Sequence, residues 1–509
     1  MLSVRPMNES RTQTEVRLPA RSIFTDMVKY IPSHAFGIVA GFASVFALTR
    51  LFSPAIYANY AIVQSLLGLL ECATAWITAS FVRFHAEYRA RNKDAALFWT
   101  SLLLRGICIA AVVTAAAIVT RAAPTVPAGL SLILGFGLAA FVCRDLYGGF
   151  TAMLRTERRL RLFTFFTMWQ QGLSFVVGLV IIIWLGVGIH GMYIGSVASA
   201  SAMLWLLFMK VRPRAQGQAG IRENLRLPVS REMFFYGFPI ALNMLSWWIL
   251  NWSDRFVIAH LCDTTQVGLY AAPYTLASRS FGFVAALFYM ADRPLAMKIW
   301  ARGDLDECRH FLTSLVRLYL MIGVPLVVLL SILAKAVMSV AVPAEFQAAY
   351  LVFPVVVAAE FLTGLALRFQ ITSLFYRKTG ILVVFTFASG LINVFLNYLL
   401  IPRYGFTVAG LTTLAATILY ASCNIALSLS LLRWRFPFRA AAGILAASAV
   451  MLLAVYLAIR FVPLPAFPTL ALCAALALPV YAGALLLFGL ADVREWIGFV
   501  RDLKNGMRR

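Results

Sequence analysis

TRLFSPAIYANYAIVQSL, residues 49–66, returns in altered form as IAHLCDTTQVGLYAAPYTLA, residues 258–277. With Tyr60 set on Tyr270, each copy reads as a turn, a tyrosine and a re-entering apolar helix. Two further pairs accompany it. WLGVGIHGMYIGSVAS (184–199) matches IPRYGFTVAGLTTLAA (401–416) through Gly188 and Gly405, and TAMLRTERRL (151–160) parallels TSLFYRKTGI (372–381). Their offsets of 210, 217 and 221 residues are nearly one spacing, so the chain carries one unit twice.

Around these markers the sequence is apolar. Of 509 residues, 61% are hydrophobic and 13% charged, where a soluble protein carries about 25% charged residues. The mean hydropathy of +0.84 requires that apolar surface face lipid. A bilayer core of about 30 Å takes about 20 apolar helical residues. On that measure spans are expected near 31–50, 58–82, 97–119, 128–153, 163–186, 191–209, 234–256, 267–291, 311–333, 349–373, 381–401, 407–431, 440–460 and 468–490. The expected fold is therefore an all-α polytopic membrane protein of about 14 transmembrane helices. Two six-helix lobes (23–209 and 234–435) are joined by a cytoplasmic linker (210–233) and followed by a two-helix hairpin (436–490). Residues 1–22 are polar and Arg-rich without an apolar core, so they read as a disordered tail rather than a cleaved signal peptide; 491–509 read as a second tail.

The net charge of +23 would suggest nucleic acid in a soluble chain. Here the basic residues collect in alternate loops, 33 on the side that holds both termini against 6 on the other. That asymmetry places the termini and the basic loops in the cytoplasm of an inner (plasma) membrane protein, with no role for nucleic acid. Six spans per unit preserve orientation, so the repeats are parallel, and a substrate site is expected between them near mid-membrane. The seven cysteines are scattered and form no metal or disulfide pattern. No G-x-x-x-x-G-K-[ST] or H-E-x-x-H occurs, and the opposite-side loops are too short for a catalytic domain. Neither a cofactor, a metal nor an enzymatic activity is expected.

The repeated segments also resemble those of the multidrug/oligosaccharidyl-lipid/polysaccharide (MOP) superfamily of exporters. SDRFVIAHLCDTTQVGLYAAPYTLA (253–277) is similar to the segment joining the seventh and eighth helices of its polysaccharide branch. INVFLNYLLIPRYGFTVAGLTTLAA (392–416) resembles its eleventh-helix signature, and VPAEFQAAYLVFPVV (342–356) the entry to its tenth helix. Residues 25–435 are covered; Ala58 and Asn59 depart from the glycine frequent before the tyrosine. The resemblance implies a MATE-like pair of lobes and a Wzx-type flippase. Such a protein moves an undecaprenyl-pyrophosphate-linked oligosaccharide to the periplasmic leaflet for O-antigen (lipopolysaccharide), capsule or exopolysaccharide assembly. Membrane lipids, a polymerase and a chain-length regulator are the implied partners.

Basic residues inside spans are the candidate site. A central charge costs about 2.5–3.5 kcal/mol on insertion scales, so it faces protein or a watery cavity. Arg317 and Arg368 lie near enough to the cytoplasmic edge to snorkel. Arg279, Arg144 and Arg105 lie deeper and are the expected headgroup ligands, because guanidinium stays charged and binds phosphate oxygens bidentately. The alternative for the first two is ion pairing, Arg279 with Glu71 or Arg144 with Glu360. Glu71 is the candidate for ion coupling. Asp254 and Arg255 read as a structural pair pinning the seventh span. Trp247, Trp248 and Trp252 suit either an interfacial belt or sugar stacking, and G-I-V-A-G (37–41) and G-M-Y-I-G (191–195) permit close helix contact. Pro239, Pro273, Pro325 and Pro354 are expected kinks. Rival readings are a drug exporter, which would want an acidic cavity, a lipid II flippase, and a membrane glycosyltransferase, which the short loops oppose.

Overall fold

The computed structural model describes residues 20–122, 128–213 and 227–490. The expected tails and most of the 210–233 linker lie outside the described residues. What is described is all helical: α1 (Ala20–Leu51), α2 (Pro54–Ala90), α3 (Asp94–Ala122), α4 (Ala128–Thr156), α5 (Leu160–Leu185) and α6 (Gly191–Val211) in the first half. The second half holds α7 (Leu227–Trp252), the short α8 (Asp254–Leu261), α9 (Thr264–Trp300), α10 (Leu305–Ile332), the short α11 (Ala334–Ala341) and a 3-10 turn (Ala344–Ala349). It continues through α12 (Val352–Phe375), α13 (Gly380–Tyr404) and α14 (Val408–Leu432); α15 (Phe438–Phe461) and α16 (Ala466–Leu487) end it. Twelve of the described helices are long and apolar enough to cross a membrane. Of the fourteen expected spans, the first enters that search only as Phe36–Leu51, and 267–291 falls in α9, which the twelve do not include.

Backbone geometry repeats with the sequence. Helices α2 and α9 both run 37 residues, and the aligned glycines Gly188 and Gly405 share a left-handed backbone at φ +79° and +78°, which a Cβ would strain. The corners after α4 and α12 close identically. Arg158 and Arg377 take φ +58° and +55°. The amide that follows each reaches back to the helix, Arg159 N to Leu154 O at 2.9 Å and Lys378 N to Ser373 O at 2.9 Å, the bonding of a Schellman cap.

The two halves meet along α2, which packs on α7 and α9, and along α1, which packs on α9. Polar contacts run the length of the α2–α7 seam: Tyr88 Oη to Glu232 Oε2, Ser80 Oγ to the Met233 carbonyl, and Trp248 Nε1 to the Ser65 carbonyl, each 2.7 Å. The α15–α16 hairpin lies on α10 and α11, where Tyr481 Oη donates to the Met321 carbonyl (2.7 Å) and Arg317 Nη2 to the Leu490 carbonyl (2.6 Å).

Three local expectations are corrected. Residues 254–261 and 334–341, expected as span end and loop, form the short helices α8 and α11. Pro354 falls in the first turn of α12, where its missing N–H has no partner to lose, so it makes no kink. Arg368 does not snorkel. Helix α9 continues past residue 291, and Asp292 meets Arg368 at 2.7 Å inside the protein, with Phe288 and Tyr319 facing the guanidinium.

Candidate functional site: a basic cavity between the halves

A cavity of about 580 Å³ lies between α1 and α5 of the first half and α7, α8, α9 and α12 of the second. It is roomy enough for a small organic headgroup. Its lining reaches from Phe163, near the start of α5, to Trp252 at the end of α7 and Arg255 at the start of α8.

Arg279 enters this space from α9 and is exposed within it. The entry depends on α1: a Cβ at Gly41 would sit 2.9 Å from Arg279 Nε, and one at Gly37 would sit 2.8 Å from Gln171 Oε1. The G-I-V-A-G stretch therefore makes room for two polar side chains that line the cavity, rather than for a helix backbone. The second such stretch does bring backbones together, since a Cβ at Gly195 would collide with the Gly178 backbone of α5.

Asp254 and Arg255, expected as a structural pair, stay within Coulombic range but take different direct partners. Asp254 is fully buried, and its carboxylate accepts hydrogen bonds from Tyr270 Oη (2.7 Å), Asn397 Nδ2 (2.9 Å) and Thr413 Oγ1 (2.9 Å). These bonds tie α8 to α9, α13 and α14. Arg255 instead lies between two rings, its Cζ 4.8 Å from the centroids of both Trp252 and Tyr274. Such cation–π stacking holds the guanidinium in place, and its Nη1 also donates to the Asn251 carbonyl at 3.4 Å. Arg255 is thus the cavity residue that sequence reasoning missed; the aromatic neighbours at 252 and 274 were the available signal. Among the described residues, neither Arg279 nor Arg255 has a carboxylate within 4.0 Å. Among the described residues, Glu360 of α12 is the only carboxylate of the lining, and it lies within Coulombic range of Arg279.

The other expected site residues are placed differently. Arg144 pairs with Glu71 at 3.1 Å and donates to Gln64 Oε1 at 3.4 Å. Both alternative pairings are thereby replaced: α2 packs on α4, where Arg144 meets Glu71, and α9 packs on α12, which brings Glu360 within Coulombic range of Arg279. Gln64 Nε2 in turn donates to Tyr60 Oη (3.1 Å), and Tyr60 lies within Coulombic range of both Arg144 and Arg279. A polar chain thus leads from Glu71 toward the cavity. Arg105 is not brought to it. Its Nη1 meets Asp145 Oδ2 at 2.5 Å and the Asp145 carbonyl at 3.0 Å, while Nη2 donates to Thr78 Oγ1 at 2.6 Å. The group is buried against Gly149, where a Cβ would lie 2.8 Å from Cζ. Among the described residues no group of three or more His, Cys, Asp or Glu could hold a metal ion.

A family model described as "Polysaccharide biosynthesis protein" matches residues 47–351. No curated protein sequence matches the chain. Among solved structures, a lipid II flippase, MurJ, in an inward closed conformation is similar at a TM-score of 0.72 with 16% identity, over 93% of this chain and 100% of that one. An inward-facing multidrug resistance MATE family transporter of the MOP superfamily follows at 0.62 and 13%, over 80% and 94%. A MOP superfamily transporter from Pyrococcus furiosus is similar at 0.54 and 13%, over 81% and 96%. At these identities the likeness is one of fold: an all-α polytopic membrane protein of MATE- and MurJ-like architecture.

Proposed function

The chain belongs to the polysaccharide biosynthesis protein family, and from that premise we propose that it is a flippase for a lipid-linked saccharide rather than an enzyme. The observation that carries the reading is the cavity, whose described lining holds Arg279 and Arg255 with one carboxylate, Glu360. A diphosphate headgroup carries charge that must be neutralised to cross an apolar barrier, and two guanidinium groups without a described carboxylate within 4.0 Å supply that. Trp247 and Trp252 beside them offer flat apolar faces for a sugar ring.

In the fuller form of this reading, the cargo is an undecaprenyl-pyrophosphate-linked oligosaccharide, moved from the cytoplasmic to the periplasmic leaflet of the inner membrane. Lobes 23–209 and 234–435 rock against each other, the hairpin 436–490 rides on the second, and both termini are cytoplasmic. Arg279 holds the headgroup, Arg255 joins it, and Arg144 stands in reserve while paired with Glu71, a candidate for ion coupling. Arg105 is assigned to holding the first lobe together. The family match favours an oligosaccharide cargo. A lipid II cargo is the second reading, supported by the fold likeness to a lipid II flippase over 93% of this chain. The drug-export reading is weaker, since this cavity is basic.

Binding to the purified protein in nanodiscs tests the proposal, with an undecaprenyl-diphospho-oligosaccharide, lipid II and undecaprenyl monophosphate offered in turn. Binding of a diphosphate-linked saccharide that weakens at least tenfold in Arg279→Gln supports it, and the preferred saccharide chooses between the two cargoes. Equal binding of the monophosphate, or no loss in Arg279→Gln, contradicts it.

A further inference from the structure

On the side opposite the basic loops, the corner between α1 and α2 reaches across to the second half. Arg50, the penultimate residue of α1, donates from Nη2 to the Val340 carbonyl and from Nη1 to the Ala341 carbonyl, both at 2.9 Å. These are the last two carbonyls of α11, groups that a helix end leaves without intrahelical donors. A cation at that end also meets the favourable pole of the helix dipole. Arg50 is held in place from its own helix, with Cζ 3.5 Å from the Phe46 ring centroid and Nη1 3.0 Å from the Phe46 carbonyl.

Two further contacts of the same corner point the same way. Tyr57, at the start of α2, meets Phe346 of the 3-10 turn edge to face at 5.8 Å. Gly268 of α9 lies so close to the Pro54 carbonyl that a Cβ there would collide with it. Three contacts from one helix–helix corner thus converge on α9, α11 and the turn after α11. The cavity lies on the inner side of this junction, its lining ending at Trp252 and Arg255.

We propose that the α1–α2 corner is the extracytoplasmic gate of the cavity and that Arg50, capping the C-terminus of α11, is its latch. The inference rests on the transport reading only in requiring a cavity that opens to both sides; it is independent of the cargo. In opening, Arg50 exchanges the two α11 carbonyls for water. Because Arg50 is solvent-exposed, the latch is a bias on the equilibrium and not a lock. Charge-assisted bonds discounted for exposure correspond to about a tenfold shift.

The test is solvent access to Ser278, a cavity-lining residue of α9. Ser278→Cys is placed in the full chain with the seven native cysteines replaced, and sealed membranes receive an impermeant maleimide on the side opposite the basic loops. The closed gate labels slowly. Arg50→Ala raises the labelling rate about tenfold, and Arg50→Lys, which can no longer reach both carbonyls in one plane, falls between. Gly268→Ala approaches the same junction from the other half: its methyl group pushes the Pro54 carbonyl away, and labelling rises again. Parental rates in both Arg50→Ala and Gly268→Ala overturn the proposal; if one variant fails to accumulate, the other decides alone. No substrate enters this experiment, so loss of the cargo reading leaves its outcome intact.

Discussion

Arg105 offers the sharpest separation of a structural cation from a transport cation. Its side chain and that of Asp145 are 5% and 8% exposed, so neither charge can turn to water if the other is removed. Replacing one partner of such a pair costs about 3–5 kcal/mol, because a buried charge is left uncompensated, whereas replacing both by apolar residues of similar volume is near neutral. Arg105→Leu is therefore expected to lower unfolding free energy by about 3–5 kcal/mol. Arg105→Leu combined with Asp145→Leu is expected to regain most of that. Thr74, which donates to Asp145 at 2.6 Å, retains the Glu71 carbonyl at 3.2 Å as an acceptor in the double variant, which limits the residual loss. The assay is a double-mutant cycle on unfolding in detergent or nanodiscs, run beside a flipping assay on the same preparations. A stable double variant that still flips its cargo upholds the structural role. A stable double variant that has lost transport refutes it and returns Arg105 to the headgroup.

Gly41→Val should act on Arg279 from a distance, since a Cβ there lies 2.9 Å from Nε; headgroup binding is expected to fall as in Arg279→Gln while thermal unfolding changes little, and unimpaired binding would argue against the α1 niche. Asn397→Leu removes one of three donors to the buried Asp254 carboxylate, and a loss of about 1–3 kcal/mol of stability is expected, measured by denaturant unfolding.

The architecture was legible because duplication left marks that backbone geometry enforces. Gly188 and Gly405 share a positive φ, and Tyr60 and Tyr270 occupy helices of equal length. Helices α8 and α11 were not legible, being eight residues each and lying between spans, where hydropathy carries no length signal. Depth along a span marked Arg279 as a cavity residue, but it ranked Arg105 beside it and sent Arg368 to the membrane edge. Those two differ from it only in what neighbouring helices bring, Asp145 and Asp292 respectively. Adjacency misled at Asp254 and Arg255. Successive helical residues point about 100° apart, so the carboxylate turned inward to Tyr270 while the guanidinium turned to the cavity. Glycine spacing at 37–41 suggested a helix contact, and only the three-dimensional structure reveals the polar side chains it admits.

The most direct measurement of the central claim is translocation by the purified protein in proteoliposomes, followed as appearance of a diphosphate-linked saccharide lipid in the opposite leaflet. The account expects transport by the wild type, and at least a tenfold loss in both Arg279→Gln and Arg255→Gln with unfolding transitions near that of the parent. Wild-type transport that persists at full rate in both variants, or no translocation of any diphosphate-linked saccharide, would contradict it.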